Sequence, residues 1–204
     1  MLIPPGGEAP LIEAKGLEKR YGPKRALPPT DVDLARGGFL VVTGANGSGK
    51  TTLLRLVAGL AAPSRGSLDV RAERAALGYL GHEGFLYRDL TAVENLDLYG
   101  RLYRVPERRE RIGMLLERFG LWDERAERVA AYSRGMVQRL ALCRTLLHEP
   151  ALLVLDEPFT ALDAEGAALL DVQLAELRGE RTILLSTHDP VRVESLATAR
   201  LALG

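Results

Sequence analysis

The stretch GANGSGKT at residues 44–51 constrains this chain more than any other. It follows FLVVT (39–43), an apolar run that reads as a buried strand, and it leads into TTLLRLVAGL (51–60), which reads as a helix. Glycines at 44, 47 and 49 let the backbone turn tightly and aim its N–H groups at an anion. A helix beginning near Lys50 adds the positive end of its dipole. The spacing is G-x-x-x-x-G-K-[ST], which a chain of this composition matches by chance roughly once in 300 cases. Gly44, Ala45, Asn46, Gly47, Ser48, Gly49, Lys50, Thr51 and Thr52 are therefore candidate ligands of a nucleotide's phosphates. Lys50 would reach the β- and γ-phosphates, and the Thr51 hydroxyl would ligate Mg²⁺. The competing reading is an ordinary Gly-rich turn from strand to helix.

The rest of the chain fits such a turn into an α/β fold. AALGYL (75–80), ALLVLD (151–156) and RTILLST (181–187) read as strands, with a helix at about 164–178. Strands alternating with helices predict a parallel central sheet. From Thr91 to about His148 the character turns helical with charged faces, as in ERRERIGMLLERFG. That block reads as a subdomain inserted into the sheet. The expected division is a single domain, 1–204, with a core of 11–90 and 150–204 and a helical part of 91–149. The opening MLIPPGGEAP reads as loose, and no repeat or heptad array is visible.

Composition narrows the function. Hydrophobic residues make up 47% of the 204, enough for a sizeable core. Lys+Arg and Asp+Glu balance at 27 each, which points away from nucleic acid and from anionic membranes as partners. The single Cys143 excludes an intrachain disulfide and reads as a buried core thiol. No apolar run is long enough to span a bilayer, and the start lacks a signal peptide's charged and apolar regions. The expectation is a cytoplasmic protein that meets a membrane only through partner subunits.

In LLVLDEPFTALD (152–163) two carboxylates, Asp156 and Glu157, stand where a buried strand should end. Acids there are costly unless something uses them. With that strand beside the phosphate loop, Asp156 would hold Mg²⁺ directly or through water, and Glu157 would polarise the attacking water as general base. The alternative makes Glu157 a solvated strand-end acid. In YSRGMVQRLALCRTLLHEP (132–150), Met136, Leu140, Cys143 and Leu147 share one helical face. Ser133 stands at the N-cap position. Ser133 and Gly135 make either a plain cap or a second anion site.

Taken together these motifs resemble those of the ATP-binding cassette (ABC) ATPases, in family order over nearly the whole chain. GANGSGKT corresponds to Walker A, YSRGM to the signature usually written LSGGQ, and LLVLDE to Walker B with its catalytic glutamate. TALD corresponds to the D-loop, and STHD carries the switch histidine, His188. The resemblance implies a P-loop NTPase core with a mostly parallel sheet, an antiparallel N-terminal β-subdomain and an inserted helical subdomain. It implies a head-to-tail homodimer in which Ser133 and Gly135 of one copy close on the γ-phosphate held by Lys50 of the other. It places Tyr21 where an aromatic side chain stacks on adenine, the alternative being a core or edge tyrosine.

Two departures stand out. Arg134 and Met136 replace a Gly and the Gln of LSGGQ. The Q-loop glutamine, a Mg²⁺ ligand and sensor of the membrane partner, is replaced in register by His82, with Glu83 next. His82 is either a metal ligand as a neutral imidazole or a loop histidine without special role.

Three function classes compete. The resemblance favours the ATPase subunit of a transporter with separate integral membrane permease subunits, docked through the helical block and the loop from His82 to Asp89. A soluble ABC ATPase in cytosolic assembly is the second class. A P-loop kinase is the third, but it would not need YSRGM, TALD or His188. For cargo, YLGHEGF, LTAVENLDLYGRLY and LDEPFTALD are similar to the haem-exporter subunit of cytochrome c maturation, whereas YSRGM is closer to drug-exporter ATPases. Haem export and generic small-molecule export are the two expectations.

Overall fold

The computed structural model describes residues 9–204, so most of the stretch expected to be loose lies outside the described residues. Two sheets form. The strands β1 (Ile12–Tyr21), β2 (Lys24–Leu34) and β4 (Arg65–Val70) make an antiparallel sheet in the order β2-β1-β4. The strands β3 (Phe39–Gly44), β5 (Leu77–Leu80), β6 (Leu152–Asp156), β7 (Thr182–Ser186) and β8 (Ala199–Leu203) make a sheet in the order β5-β6-β7-β3-β8. Every pairing in this second sheet is parallel. This is the α/β architecture expected.

Each central strand is buried on both faces, which is why β6 and β7 read as continuous apolar runs rather than alternating ones. Phe39, Val41, Leu153, Leu155, Ile183 and Leu185 point into one core. Leu40, Val42, Leu152, Val154 and Leu184 point into another. The second core is closed by α1 (Lys50–Val57) and by Ile12, Leu17, Leu27 and Leu34 of the antiparallel sheet. The first is closed by the helices α2 (Ala92–Leu102), α3 (Arg108–Arg118), α4 (Arg134–Leu146) and α5 (Ala164–Leu177).

The helical block therefore sits between β5 and β6 in sequence and shares the core of the sheet. Its entry is fixed by a reciprocal cap. Thr91 Oγ1 accepts from the Glu94 N–H at 3.1 Å, and Glu94 Oε2 accepts from the Thr91 N–H at 2.8 Å. Asn95, fully buried, then ties down the loop before it. Its Oδ1 accepts from the Tyr87 N–H at 2.8 Å, and its amide donates to the carbonyls of Tyr87 and Thr91, both at 2.9 Å.

The strand ending at Asp156 is not the sheet neighbour of β3, because β7 pairs with both and stands between them. Asp156 still reaches the loop's neighbourhood, since all three strands run the same way and end at the same edge. Cys143 is the buried core thiol expected, its Sγ 3.5 Å from the Leu115 carbonyl, and burial pushes its pKa far up.

Candidate nucleotide site

The site lies at the carboxyl edge of the parallel sheet, where β3, β6 and β7 end. The turn after β3 is built on glycine. Gly47 and Gly49 have φ of 86° and 109°, in the left-handed region that side chains resist. A Cβ at Gly49 would stand 2.7 Å from the Ala26 carbonyl of β2. Gly49 also precedes α1 without offering a side-chain cap, so the first-turn N–H groups of α1 have no side-chain acceptor. Ala45, Asn46 and Gly47 are exposed, and Thr51 and Thr52 are half-buried on the first turn of α1. Ser48 Oγ is buried with no hydrogen-bond partner.

Lys50 is buried, and its ammonium folds back over the loop. It donates to the Gly44 carbonyl at 2.7 Å and to that of Ala45 at 3.4 Å. On its other side it meets Glu157 Oε1 at 3.8 Å. The loop and the acid after β6 thus converge despite the strand between them.

Ser186 at the end of β7 organises both carboxylates. Its hydroxyl donates to Asp156 Oδ1 at 2.6 Å and accepts from the Glu157 N–H at 3.0 Å. Glu157 has left-handed φ, 49°, and its N–H is also 3.1 Å from the Ser186 carbonyl. Non-glycine residues held in this way cluster at functional sites. His188 stands two residues beyond Ser186. Its backbone N–H donates to Glu157 Oε2 at 3.2 Å, and its Nδ1 lies 2.7 Å from the same oxygen. A carboxylate only accepts, so Nδ1 carries a proton, and Nε2 lies on the far side of an exposed ring.

Asp156 is buried at 2% exposure, and its Oδ2 has no hydrogen-bond partner. An unsatisfied buried carboxylate oxygen is costly, which is the mark of a place for a cation. The nearest ionisable nitrogen is His82 Nε2, at 3.6 Å on an exposed side chain. Among the described residues no three His, Cys, Asp or Glu gather as a metal cage. The donor set present suits an ion that arrives with a phosphate ligand of its own.

Two of the residues picked out in the sequence stay apart from this cluster. Ser133 caps α4, its Oγ accepting from the Met136 N–H at 3.2 Å. Gly135 lies against the Ala161 carbonyl, where a Cβ would come within 3.1 Å. Among the described residues no hydrogen bond or ion pair joins Ser133 to Lys50, Asp156 or Glu157. Gln138 of the same helix instead donates to the Pro158 carbonyl at 3.0 Å, tying α4 to the segment after Glu157. Tyr21 ends β1, half exposed, with Lys19 Nζ 4.9 Å from its ring centroid. Asp163 of TALD caps α5, accepting from the Gly166 N–H at 2.8 Å.

Ser186 and Gln138 are the site residues that sequence reasoning did not pick out. Ser186 stands in STHD, and its place at the end of an apolar strand was the available signal. Gln138 gave none, since it stands mid-helix.

The model of the ABC transporter family matches residues 27–160. The chain is 40% identical over 198 residues to the daunorubicin resistance ATP-binding protein DrrA3 of Streptomyces coeruleorubidus, an alignment covering 91% of this chain and 63% of that one. It is 35% identical over 209 residues to the Nod factor export ATP-binding protein I of Ralstonia nicotianae, covering 95% of this chain and 65% of that one. The chain thus spans a little under two thirds of the length of these curated relatives. A solved structure titled as the ATP binding subunit of an ABC transporter superposes with a TM-score of 0.86 at 29% identity, covering 95% of this chain and 85% of that one. The family match takes in the phosphate loop, the start of the capped helix α4 and the paired acids, and the chain belongs to the ABC transporter family.

Proposed function

We propose that this chain hydrolyses ATP to drive separate integral membrane permease subunits. The observation that carries the reading is Glu157, whose carboxylate stands between Lys50 Nζ at 3.8 Å and His188 Nδ1 at 2.7 Å. ATP enters with its phosphates over the exposed loop 45–47, against the N–H groups at the start of α1. Lys50 trades the Gly44 carbonyl for β- and γ-phosphate oxygens. Tyr21 stacks on the adenine. Mg²⁺ bound with the nucleotide neutralises phosphate charge, and Asp156 Oδ2, the Thr51 hydroxyl and His82 would hold it. Glu157 accepts the proton of the attacking water. His188 fixes that carboxylate through Nδ1–H, and a proton on Nε2 as well would let the ring donate to a γ-phosphate oxygen.

Ser133 and Gly135 do not touch the Lys50 cluster within one chain, which supports their use in trans by a second copy in an ATP-dependent homodimer. Among the described residues no helix is long and apolar enough to cross a membrane. On this reading the chain works on the cytoplasmic face, peripheral to the membrane, bound to its permease.

Light scattering of Glu157→Gln with and without saturating ATP tests the dimer. The expected result is a doubling of mass only with ATP, abolished by Ser133→Arg. A mass unchanged by ATP counts against it.

For cargo, the names of the two relatives, daunorubicin resistance and Nod factor export, support a small-molecule exporter. Haem export is the narrower reading, supported by the motif resemblance alone. A haem-stained gel of membranes from a deletion strain separates the two: loss of covalent c-type cytochromes supports haem, and a normal pattern leaves the small-molecule exporter.

A further inference from the structure

His82 occupies an unusual position for a site built on hard oxygen donors. Asp156 Oδ2 is buried and unpartnered, and the nearest ionisable nitrogen is that of an imidazole, His82 Nε2 at 3.6 Å. That separation is slightly wider than two donors on one ion require, and the exposed ring is free to close it. The other acid at the site, Glu157, is turned to Lys50 and His188. Ser186 already satisfies Asp156 Oδ1. An ion held between Asp156 and His82 would therefore meet one carboxylate oxygen and one nitrogen from the protein, besides hydroxyl and phosphate oxygens.

Nitrogen changes the ranking of metals. Mg²⁺ prefers oxygen ligands and dehydrates reluctantly, whereas the first-row divalent ions take imidazole readily and bind more tightly along the series from Mn²⁺ upwards. We propose that His82 biases this nucleotide site towards Mn²⁺ and Co²⁺ over Mg²⁺ by coordinating the ion through Nε2 beside Asp156. The inference rests on the nucleotide-site reading above and concerns only which ion it prefers.

The test uses the full chain grown with ¹⁵N-labelled histidine, a non-hydrolysable ATP analogue and Mn²⁺. Pulsed electron paramagnetic resonance should show a directly bonded nitrogen whose signal is ¹⁵N in the labelled protein and ¹⁴N in the unlabelled one. In His82→Gln the coupling disappears. The ratio of Mn²⁺ to Mg²⁺ affinity, from competition titration, falls about tenfold or more, the scale on which altering a metal site's surroundings shows. The side chain is exposed, so this variant keeps its fold, which circular dichroism verifies. A Mn²⁺ complex that needs nucleotide and Asp156 but shows no histidine coupling overturns the inference and leaves the nucleotide site standing. A coupling that survives in His82→Gln overturns it equally. Mn²⁺ binding indifferent to both nucleotide and Asp156→Asn overturns the nucleotide-site reading and the inference with it.

Discussion

The imidazole of His188 and the carboxylate of Glu157 are joined by an Nδ1–Oε2 contact of 2.7 Å, and the His188 backbone N–H holds the same oxygen at 3.2 Å. Two donors on one oxygen leave Oε1 as the free basic atom, turned towards Lys50. Glu157→Gln should therefore bind ATP normally and hydrolyse it about 10²–10⁴-fold more slowly, the usual contribution of a general base. His188→Ala should be slow as well, with ATP affinity little changed. Steady-state phosphate release beside equilibrium nucleotide binding checks both, and wild-type turnover in Glu157→Gln would remove the glutamate from its role.

Ser186→Ala should lower both stability and turnover. The hydroxyl is fully buried and serves Asp156 and Glu157 together. Its loss leaves both Asp156 oxygens unpaired, a penalty of about 1–3 kcal/mol. Urea denaturation should show that loss, and Ser186→Thr, which restores a hydroxyl, should recover part of it.

Asn95 makes its bonds to the loop 87–91 from a site with no solvent exposure. Asn95→Ala strands the Tyr87 N–H, while the Tyr87 and Thr91 carbonyls keep the backbone N–H groups of Leu90 and Asn95, at a cost of about 1–3 kcal/mol. Hydrogen exchange should quicken at residues 86–91 ahead of the rest of the chain. Uniform quickening would mean that Asn95 supports the whole core and not this loop.

His148 supplies a pH dependence. Its ring stacks on Tyr103 with centroids 3.9 Å apart, and Nε2 lies 3.1 Å from the Leu77 carbonyl. A carbonyl only accepts, so Nε2 carries the proton, and Nδ1 is buried without a partner. Burial, and secondarily the nearby Arg144, pull the pKa below the ordinary value, with the Leu77 bond opposing them. As pH falls, the unfolded chain takes up the proton first. Stability should therefore decline as pH drops below about 6.5 and level off beneath the folded-state pKa. His148→Phe should be less steep over that range in urea midpoints measured at stepped pH. An identical slope would place the dependence elsewhere.

The strands β3, β6 and β7 were legible because each is buried on both faces and written in unbroken apolar residues. The phosphate loop was legible because left-handed backbone at residues 47 and 49 demands glycine. The antiparallel strands were not legible from their residues. In β1 the alternation slips at Gly16, φ 55°, where the register to β2 shifts, and β4 is largely exposed. The convergence of Asp156, Glu157 and Lys50 could be anticipated only through the motifs. The part played by Ser186 depends on pairing across strands, Asp156 opposite Ser186, which no local pattern records.

Because odd-numbered residues of β3, β6 and β7 at 39, 41, 153, 155, 183 and 185 face the helices while their even-numbered neighbours face α1 and the antiparallel sheet, the central sheet works as a two-sided connector. A chimera that imports another family member's helical block at 91–149 should fold well only if those six positions are exchanged with it. The residues at 40, 42, 152, 154 and 184 can be left alone. Modularity in this chain runs by strand face rather than by stretch of sequence.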